Sequence, residues 1–355
     1  MKVKKCVRCC LDSTVKHISF DENGVCSFCN AYDKIKDRLH DYNNLERLFL
    51  KKIANNGNHK YDAAVGFSGG KDSTYLLYKL VKDYKLKVKA FTLDNGFLSP
   101  EAKEKIKEIV NELGVEHEFY ECDDRILKEM YHYICKKYLS PCIACSFLGY
   151  AVMINYASKI DAACTIHGRS IPQMLRAYQD ADYDFYKPFI VDGLSEDSLA
   201  PEELYKDALR LIDKLVDERL AKRIKDELLI DGFKNGFRPF VAYYLYHPYN
   251  KDEIIKFLEE NTSWRVISEE EHFDCLIHHG AMYLKNMIAR RSHLMPEIAV
   301  MMREGTINSD EAKAKLIVND DKKIAIKELK EFAKYAGLNY NTLMLKAKIY
   351  SKRWW

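Results

Sequence analysis

The chain has few residues that break a globular fold: eight prolines and fifteen glycines in 355 residues, with no internal repeat and no low-complexity tract. That composition excludes collagen-like, Pro-rich and Gly/Ser-linker architectures. An excess of one charge is also missing. Fifty-six Lys and Arg against 53 Asp and Glu leave a net +3, too balanced to imply a polyanion partner, although a local basic face stays compatible with it. Lys2-Lys4-Lys5, Lys136-Lys137 and Arg290-Arg291 read as solvated faces. No run of about twenty uncharged apolar residues is evident, so neither a spanning segment nor a membrane partner is expected. The opening MKVKKCVRCC places cysteines where a secretory leader carries an apolar run, which sets the expectation of a reducing, cytoplasmic protein.

What is present is 47% hydrophobic and 31% charged residues, normal for globular domains, and enough length for about two of them. From Tyr61 the chain alternates short apolar runs with amphipathic stretches. Asp62–Phe67, Lys87–Leu93, Val115–Glu121 and Ala162–Ile166 read as strands. Helices are expected over Asp72–Lys82, Glu101–Leu113, Asp124–Tyr138 and Ser146–Lys159, the second placing Ala102, Ile106, Ile109, Val110 and Leu113 on one face. This alternation predicts an α/β fold with a doubly wound parallel sheet, whose ligands lie at the carboxyl ends of the strands. Beyond Asp180, Pro201–Leu229 reads as helical, the aromatic stretch Arg238–Pro248 as mostly core, and Asn250 as the cap of a helix through Glu259.

Eleven cysteines, an odd number, form two constellations. Cys6-x2-Cys9 and Cys26-x2-Cys29 are two pairs separated by sixteen residues, joined through a turn at Gly24. That spacing indicates a structural Zn2+ site in a zinc-ribbon-like head. Cys10 is read as spare. The second constellation, Cys142-x2-Cys145, fits a redox pair, half a metal site or two core thiols; Cys275 is the candidate for a third thiolate. Cys122, Cys135 and Cys164 read as core thiols.

The strongest signal is Ser68-Gly69-Gly70-Lys71-Asp72-Ser73, directly after a strand and opening a helix. Glycines bring backbone N–H groups close to an anion, and the helix start adds its positive end. The spacing differs from Walker A. It resembles the PP-loop of the adenine nucleotide alpha-hydrolase (AANH) superfamily, whose HUP-like fold binds ATP and cleaves it between the alpha and beta phosphates. The resemblance implies that Phe67, Ser68, Gly69, Gly70, Lys71, Asp72 and Ser73 bind the pyrophosphate end of ATP and its Mg2+. Thr92, Leu93, Asp94 and Gly168 then flank the adenosine. Lys71, Asp72 and Arg169 are the implied catalytic residues, with Arg169 offsetting charge at the alpha phosphate. His167 and Gln173 flank the same turn, and His278 with His279 adjoin Cys275 without a decided role.

Two further resemblances separate the chemistry. Cys142, Cys145 and Cys275 resemble the thiolates that hold a [4Fe-4S] cluster in PP-loop thiolases. The head DENGVCSFCNAYDKI and the stretch YLKNMIARRSHLMPEIAVMMREGTINSDEAKAKL resemble N-acetyl sugar amidotransferases, which use ammonia. Both activate a substrate oxygen by adenylylation. The cysteines favour sulfur, from a [4Fe-4S]-bound sulfide, on a small molecule rather than tRNA; a homodimer and a sulfur-donor protein are allowed partners. A binding protein that keeps the loop without catalysis is the reading from another class. The expected organisation is a zinc-binding head of four cysteines with a linker helix over residues 1–55, a PP-loop domain over 56–195, and a mostly helical region over 196–355 that contributes to the active site.

Overall fold

The computed structural model describes residues 3–15, 18–34, 36–54, 57–170, 172–173, 209–210, 212–266, 274–317 and 321–353. Among these, a sheet of five strands, all parallel, runs in the order β3-β2-β1-β4-β5. The strands are β1 (Tyr61–Gly66), β2 (Val88–Asp94), β3 (Glu116–Glu121), β4 (Ala162–His167) and β5 (Phe240–Ala242). Ala63, Ala64 and Val65 of β1 and Ala90 and Phe91 of β2 are buried, as strands covered on both faces require. β3, with the sequence EHEFYE, lies at one edge and is partly exposed, its charges blunting that edge.

The first four strands fall where the apolar runs predict. β5 does not: it comes from the aromatic stretch read as core, inside the region expected to be mostly helical. At three residues it is too short for periodicity to register, and its pairing with β4 starts from the Pro239 carbonyl, which accepts from Thr165 N–H at 2.8 Å. Both expected domain boundaries, near residues 55 and 195, lie outside the described residues, as do residues 201–208 and 211 of the helix expected over Pro201–Leu229. Of that stretch, Glu218–Leu228 is helical.

Helices cover both faces of the sheet. α1 (Lys71–Tyr78) continues into a wider π turn over Lys79–Asp83. α2 (Pro100–Leu113) starts where Ser99 Oγ accepts from Ala102 N–H at 3.0 Å, with Pro100 at the first helical position; Gly114, at φ +68°, ends it. Its five expected apolar residues are all buried. α3 (Asp124–Tyr138) ends at Leu139, φ +55°, and Pro141 then opens α4 (Pro141–Ile160). Cys142 and Cys145 therefore occupy the first two turns of α4, which begins five residues before the expected start at Ser146.

α4 also corrects the reading of hydropathy. It is 20 residues long with a mean hydropathy of 1.2, enough by length and composition to cross a membrane. Its apolarity has another cause: 61% of that window is buried inside the protein, where Phe147, Leu148, Ala151 and Val152 pack with Ala64 and Phe91 of the sheet. On the opposite face, Tyr243, Tyr244 and Tyr246 join Val65, Leu76 and Ile106, and Phe49 meets Tyr243 edge-on at 5.6 Å. The aromatic run is core, as read.

Further along lie α5 (Lys251–Asn261), α6 (His278–Ala289), α7 (Met295–Glu304), α8 (Lys322–Tyr335) and α9 (Tyr340–Arg353). Asn250 caps α5 as expected, its Oδ1 accepting from Asp252 and Glu253 N–H at 3.1 and 3.3 Å. α6 and α8 pack through Gly280, where a β-carbon would lie 3.0 Å from the Ala325 carbonyl oxygen and from Leu329 Cγ. Gly280→Ala is expected to force these helices apart and lower stability by about 1–3 kcal/mol, read as a lower Tm in thermal unfolding.

Candidate functional site

β1 and β4 are neighbours, and the strand order reverses direction between them, so their carboxyl ends frame a crevice. Residues 68–73 emerge from β1 into this crevice. Gly69, at φ +76°, makes the turn, and a β-carbon there would lie 2.8 Å from Ile106 Cγ1. Ser73 Oγ donates to the Gly70 carbonyl at 3.1 Å and accepts from Ser68 N–H at 3.3 Å, closing the loop over the first turn of α1. Lys71 Nζ lies 3.4 Å from Asp72 Oδ2. The loop thus gathers Lys71, two serine hydroxyls and the start of a helix, a combination suited to a phosphate chain.

Three aromatic residues that sequence reasoning did not assign to the site hold this loop from the C-terminal region. Trp264 Nε1 donates to the Gly69 carbonyl at 3.1 Å, Tyr244 Oη to the Asp72 carbonyl at 3.0 Å, and Tyr249 Oη to Asp72 Oδ1 at 3.1 Å. Of the three, only Tyr244 lies in the aromatic, proline-bounded stretch Arg238–Pro248; Tyr249 and Trp264 fall outside it. Gly168, after β4, approaches the same place: a β-carbon there would meet the Asp72 carbonyl oxygen at 3.1 Å and Ser73 Cα at 3.3 Å.

Phe67 is buried, its N–H donating to the Phe91 carbonyl at 2.8 Å. Thr92 is buried too: its hydroxyl donates to the Phe67 carbonyl at 2.6 Å and accepts from His117 Nε2 at 2.8 Å, bracing the strand ends. Burial pushes His117 down to about 4, so the ring is neutral and can donate this bond. Leu93 is partly buried, and Asp94 pairs with Lys103 at 2.5 Å while accepting from Gly96 N–H at 3.0 Å. Gln173 Oε1 accepts from Ser170 N–H at 3.2 Å. Burial, then the Arg169 charge, pushes His167 down to about 3; His167 Nδ1 accepts from Arg169 N–H at 3.4 Å.

The second cysteine constellation reaches this edge from two parts of the chain. Cys142 and Cys145 lie in the first two turns of α4, and Cys275 pairs with Leu98 just after β2, with Leu276 N–H donating to the Phe97 carbonyl at 2.8 Å. Burial, then the Cys145 and Cys142 charges, push Cys275 up to about 12. Cys145 accepts from Asn95 Nδ2 at 3.1 Å; burial pushes its thiol up, with the Asn95 bond and the Arg169 charge acting against that rise. Arg169 itself lies over Tyr150, 4.5 Å from the ring centroid, and donates to the Tyr150 hydroxyl. Arg169 therefore sits between the glycine turn at 168 and the thiols. Cys122, Cys135 and Cys164 pack within hydrophobic clusters, as read, and His279 Nδ1 is held 2.9 Å from Glu328 Oε1.

The head forms a separate centre. Cys6, Cys9, Cys26 and Cys29 are all buried, and their sulfurs lie within 4.8 Å of one another. Cys6–Cys29 and Cys9–Cys26 are 3.9 and 3.8 Å apart. A tetrahedral ion with bonds of about 2.3 Å needs edges of about 3.8 Å, so the thiols suit one ion. Gly24 (φ +77°) makes the expected turn, and Cys6 Sγ accepts from the N–H groups of Arg8 and Cys26 at 3.4 and 3.3 Å. Cys10 instead donates to the Met295 carbonyl at 3.4 Å, outside the quartet.

No family model and no curated protein matches the chain. Among solved structures, it is similar to the U34-tRNA thiolase NcsA from Methanococcus maripaludis with its [4Fe-4S] cluster. That match is 16% identical with a TM-score of 0.38, covering 91% of this chain and 92% of the other. NMN synthetase from Francisella tularensis matches at 16% identity and a TM-score of 0.30 over 55% of this chain and 94% of that one. The NH3-dependent NAD synthetase from Campylobacter jejuni subsp. jejuni matches at 16% and 0.29, over 57% and 95%. None superposes closely enough to assign chemistry, which is argued instead from the residues themselves.

Two substitutions probe the loop without touching its basic residue. Gly168→Ala is expected to drive a β-carbon into the backbone of Asp72 and Ser73 at a stability cost of about 1–3 kcal/mol, read as a lower Tm. Tyr249→Phe removes the donor to Asp72 Oδ1 and should leave the fold, read by circular dichroism, unchanged. Trp264, against the Gly69 carbonyl, offers a fluorescence readout of the loop for both.

Proposed function

We propose that this chain is a PP-loop ATP pyrophosphatase of the AANH class that transfers sulfur to a small molecule. The observation that carries the reading is the convergence of Cys142, Cys145 and Cys275 beside Arg169, at the same sheet edge as the loop at 68–73. Ammonia chemistry would have no need of three thiols there.

In this reading the loop amides, Ser68, Ser73 and Lys71 hold the beta and gamma phosphates, and Asp72, oriented by Tyr249, holds Mg2+. The substrate oxygen attacks the alpha phosphorus, the bond to the beta-phosphate oxygen breaks, and pyrophosphate leaves with the charge Lys71 offsets. Arg169 stabilises charge on the alpha phosphate. A sulfur nucleophile then attacks the substrate carbon, and AMP departs with the former substrate oxygen. The three thiols converge from half-buried positions with an amide donor on one of them, a set suited to a [4Fe-4S] cluster. When bound, that cluster would supply an iron without a protein ligand, able to carry sulfide. In the head, Cys6, Cys9, Cys26 and Cys29 would hold Zn2+ in a closed site that contributes folding energy rather than chemistry.

Metal analysis of protein purified without oxygen, combined with 31P NMR of ATP turnover, tests the reading. The expected result is one zinc and about four irons per chain, absorbance near 400 nm, and AMP with pyrophosphate as products. Cys275→Ala should lose iron and keep zinc; Cys26→Ala should lose zinc and the stability it contributes. Accumulation of ADP and phosphate would refute the alpha-phosphate chemistry. A colourless, iron-free chain fully active with ammonia would make it an amidotransferase instead.

A further inference from the structure

Asn95 directly follows Asp94 at the carboxyl end of β2, and its side-chain amide is engaged at both ends. Its Oδ1 accepts from Phe97 N–H at 2.9 Å, its Nδ2 donates to Cys145 Sγ at 3.1 Å, and its backbone carbonyl accepts from Tyr131 Oη at 3.1 Å. The first contact fixes the amide's orientation, since a flipped amide would set two N–H donors against each other. What faces Cys145 is therefore a donor held from the other side.

Tyr131 completes the arrangement. Its ring is buried against Phe97, 5.7 Å between centroids, and against Phe332 at 5.5 Å, so the hydroxyl has little freedom to move. That hydroxyl donates to the Asn95 carbonyl and so holds the backbone that carries the amide. Cys145 itself sits in the second turn of α4. It is the thiol that accepts from the side-chain amide of Asn95.

We propose that Asn95 is a positioning residue of the sulfur site: its amide fixes the Cys145 sulfur and draws charge from it, setting the reduction potential of the iron–sulfur centre. This inference rests on the cluster reading above. An N–H···S bond favours the more negative, reduced state of a cluster, so removing it moves the potential down. Asn95 touches neither nucleotide phosphate nor substrate in this assignment and acts through Cys145.

The full chain, reconstituted with iron and sulfide without oxygen, is compared as wild type, Asn95→Leu and Asn95→Gln. Iron and acid-labile sulfide per chain are measured, along with the fraction reduced at a fixed solution potential by electron paramagnetic resonance. Asn95→Leu is expected to keep its far-ultraviolet circular dichroism and show about a tenfold lower reduced-to-oxidised ratio, while Asn95→Gln, which keeps the amide, stays nearer wild type. Loss of iron from a folded Asn95→Leu that Asn95→Gln restores equally supports the proposal. Should Asn95→Leu fail to fold, Asn95→Ser takes its place under the same readings. Equal iron and an equal reduced ratio in wild type and the amide-free variant overturn the role of Asn95 and leave the cluster reading standing. A wild type that takes up no iron overturns the cluster reading, and the role of Asn95 with it.

Discussion

Two pieces of backbone meet in the site: the turn after β4 and the first residues of α1. At Gly168 a β-carbon would stand 3.1 Å from the Asp72 carbonyl oxygen, inside ordinary contact. Only hydrogen fits there at no cost, so the β4 turn can rest against the opening of the phosphate-loop helix. The position of Arg169 follows from it, because the residue after Gly168 emerges already beside the loop. From there its guanidinium lies over Tyr150 and its charge reaches Cys145.

The C-terminal region completes the loop and does more than cover the sheet. Backbone carbonyls of a tight glycine turn point outward and need partners, and Trp264 and Tyr244 supply donors to Gly69 and Asp72. Tyr249 binds one oxygen of the Asp72 carboxylate, which limits the directions the other can face. Such bonds to a loop shape it before a ligand arrives, and preorganisation of that kind is where most electrostatic stabilisation in phosphoryl chemistry originates. The two cysteine constellations then stand in different surroundings. The head thiols are buried, mutually within 4.8 Å and backed by Met295 and Ala299 of α7, whereas Cys142, Cys145 and Cys275 are half-buried at a strand edge. A closed quartet suits a structural ion.

Legibility varied with the range of the interaction. β1, β2 and β4 were readable because strands buried on both faces must be continuously apolar, and α2 because Ile106, Ile109, Val110 and Leu113 recur at helical spacing. The head quartet was readable from two C-x2-C pairs and a glycine turn. β5 escaped because three residues carry no period, and of α4 only the part from Ser146 was read, because a proline and two x2-spaced cysteines open it. Asn95, Tyr131, Tyr249 and Trp264 left no local trace: each acts on a residue far away in the chain, and an isolated aromatic or amide has no spacing to recognise.

The amino-acid order alone determined the local matters: which segments become strands, where the glycine turn follows β1, and which cysteines pair at x2 spacing. These depend on backbone sterics and on the side-chain periods of helix and strand, which act over a few residues. Only the tertiary structure decided that Cys275 pairs with Leu98 just after β2, that Tyr249 reaches Asp72, and that residues 240–242 extend the sheet. Contacts between segments more than seventy residues apart arise from packing of the whole core, and no local rule encodes which distant surfaces will meet.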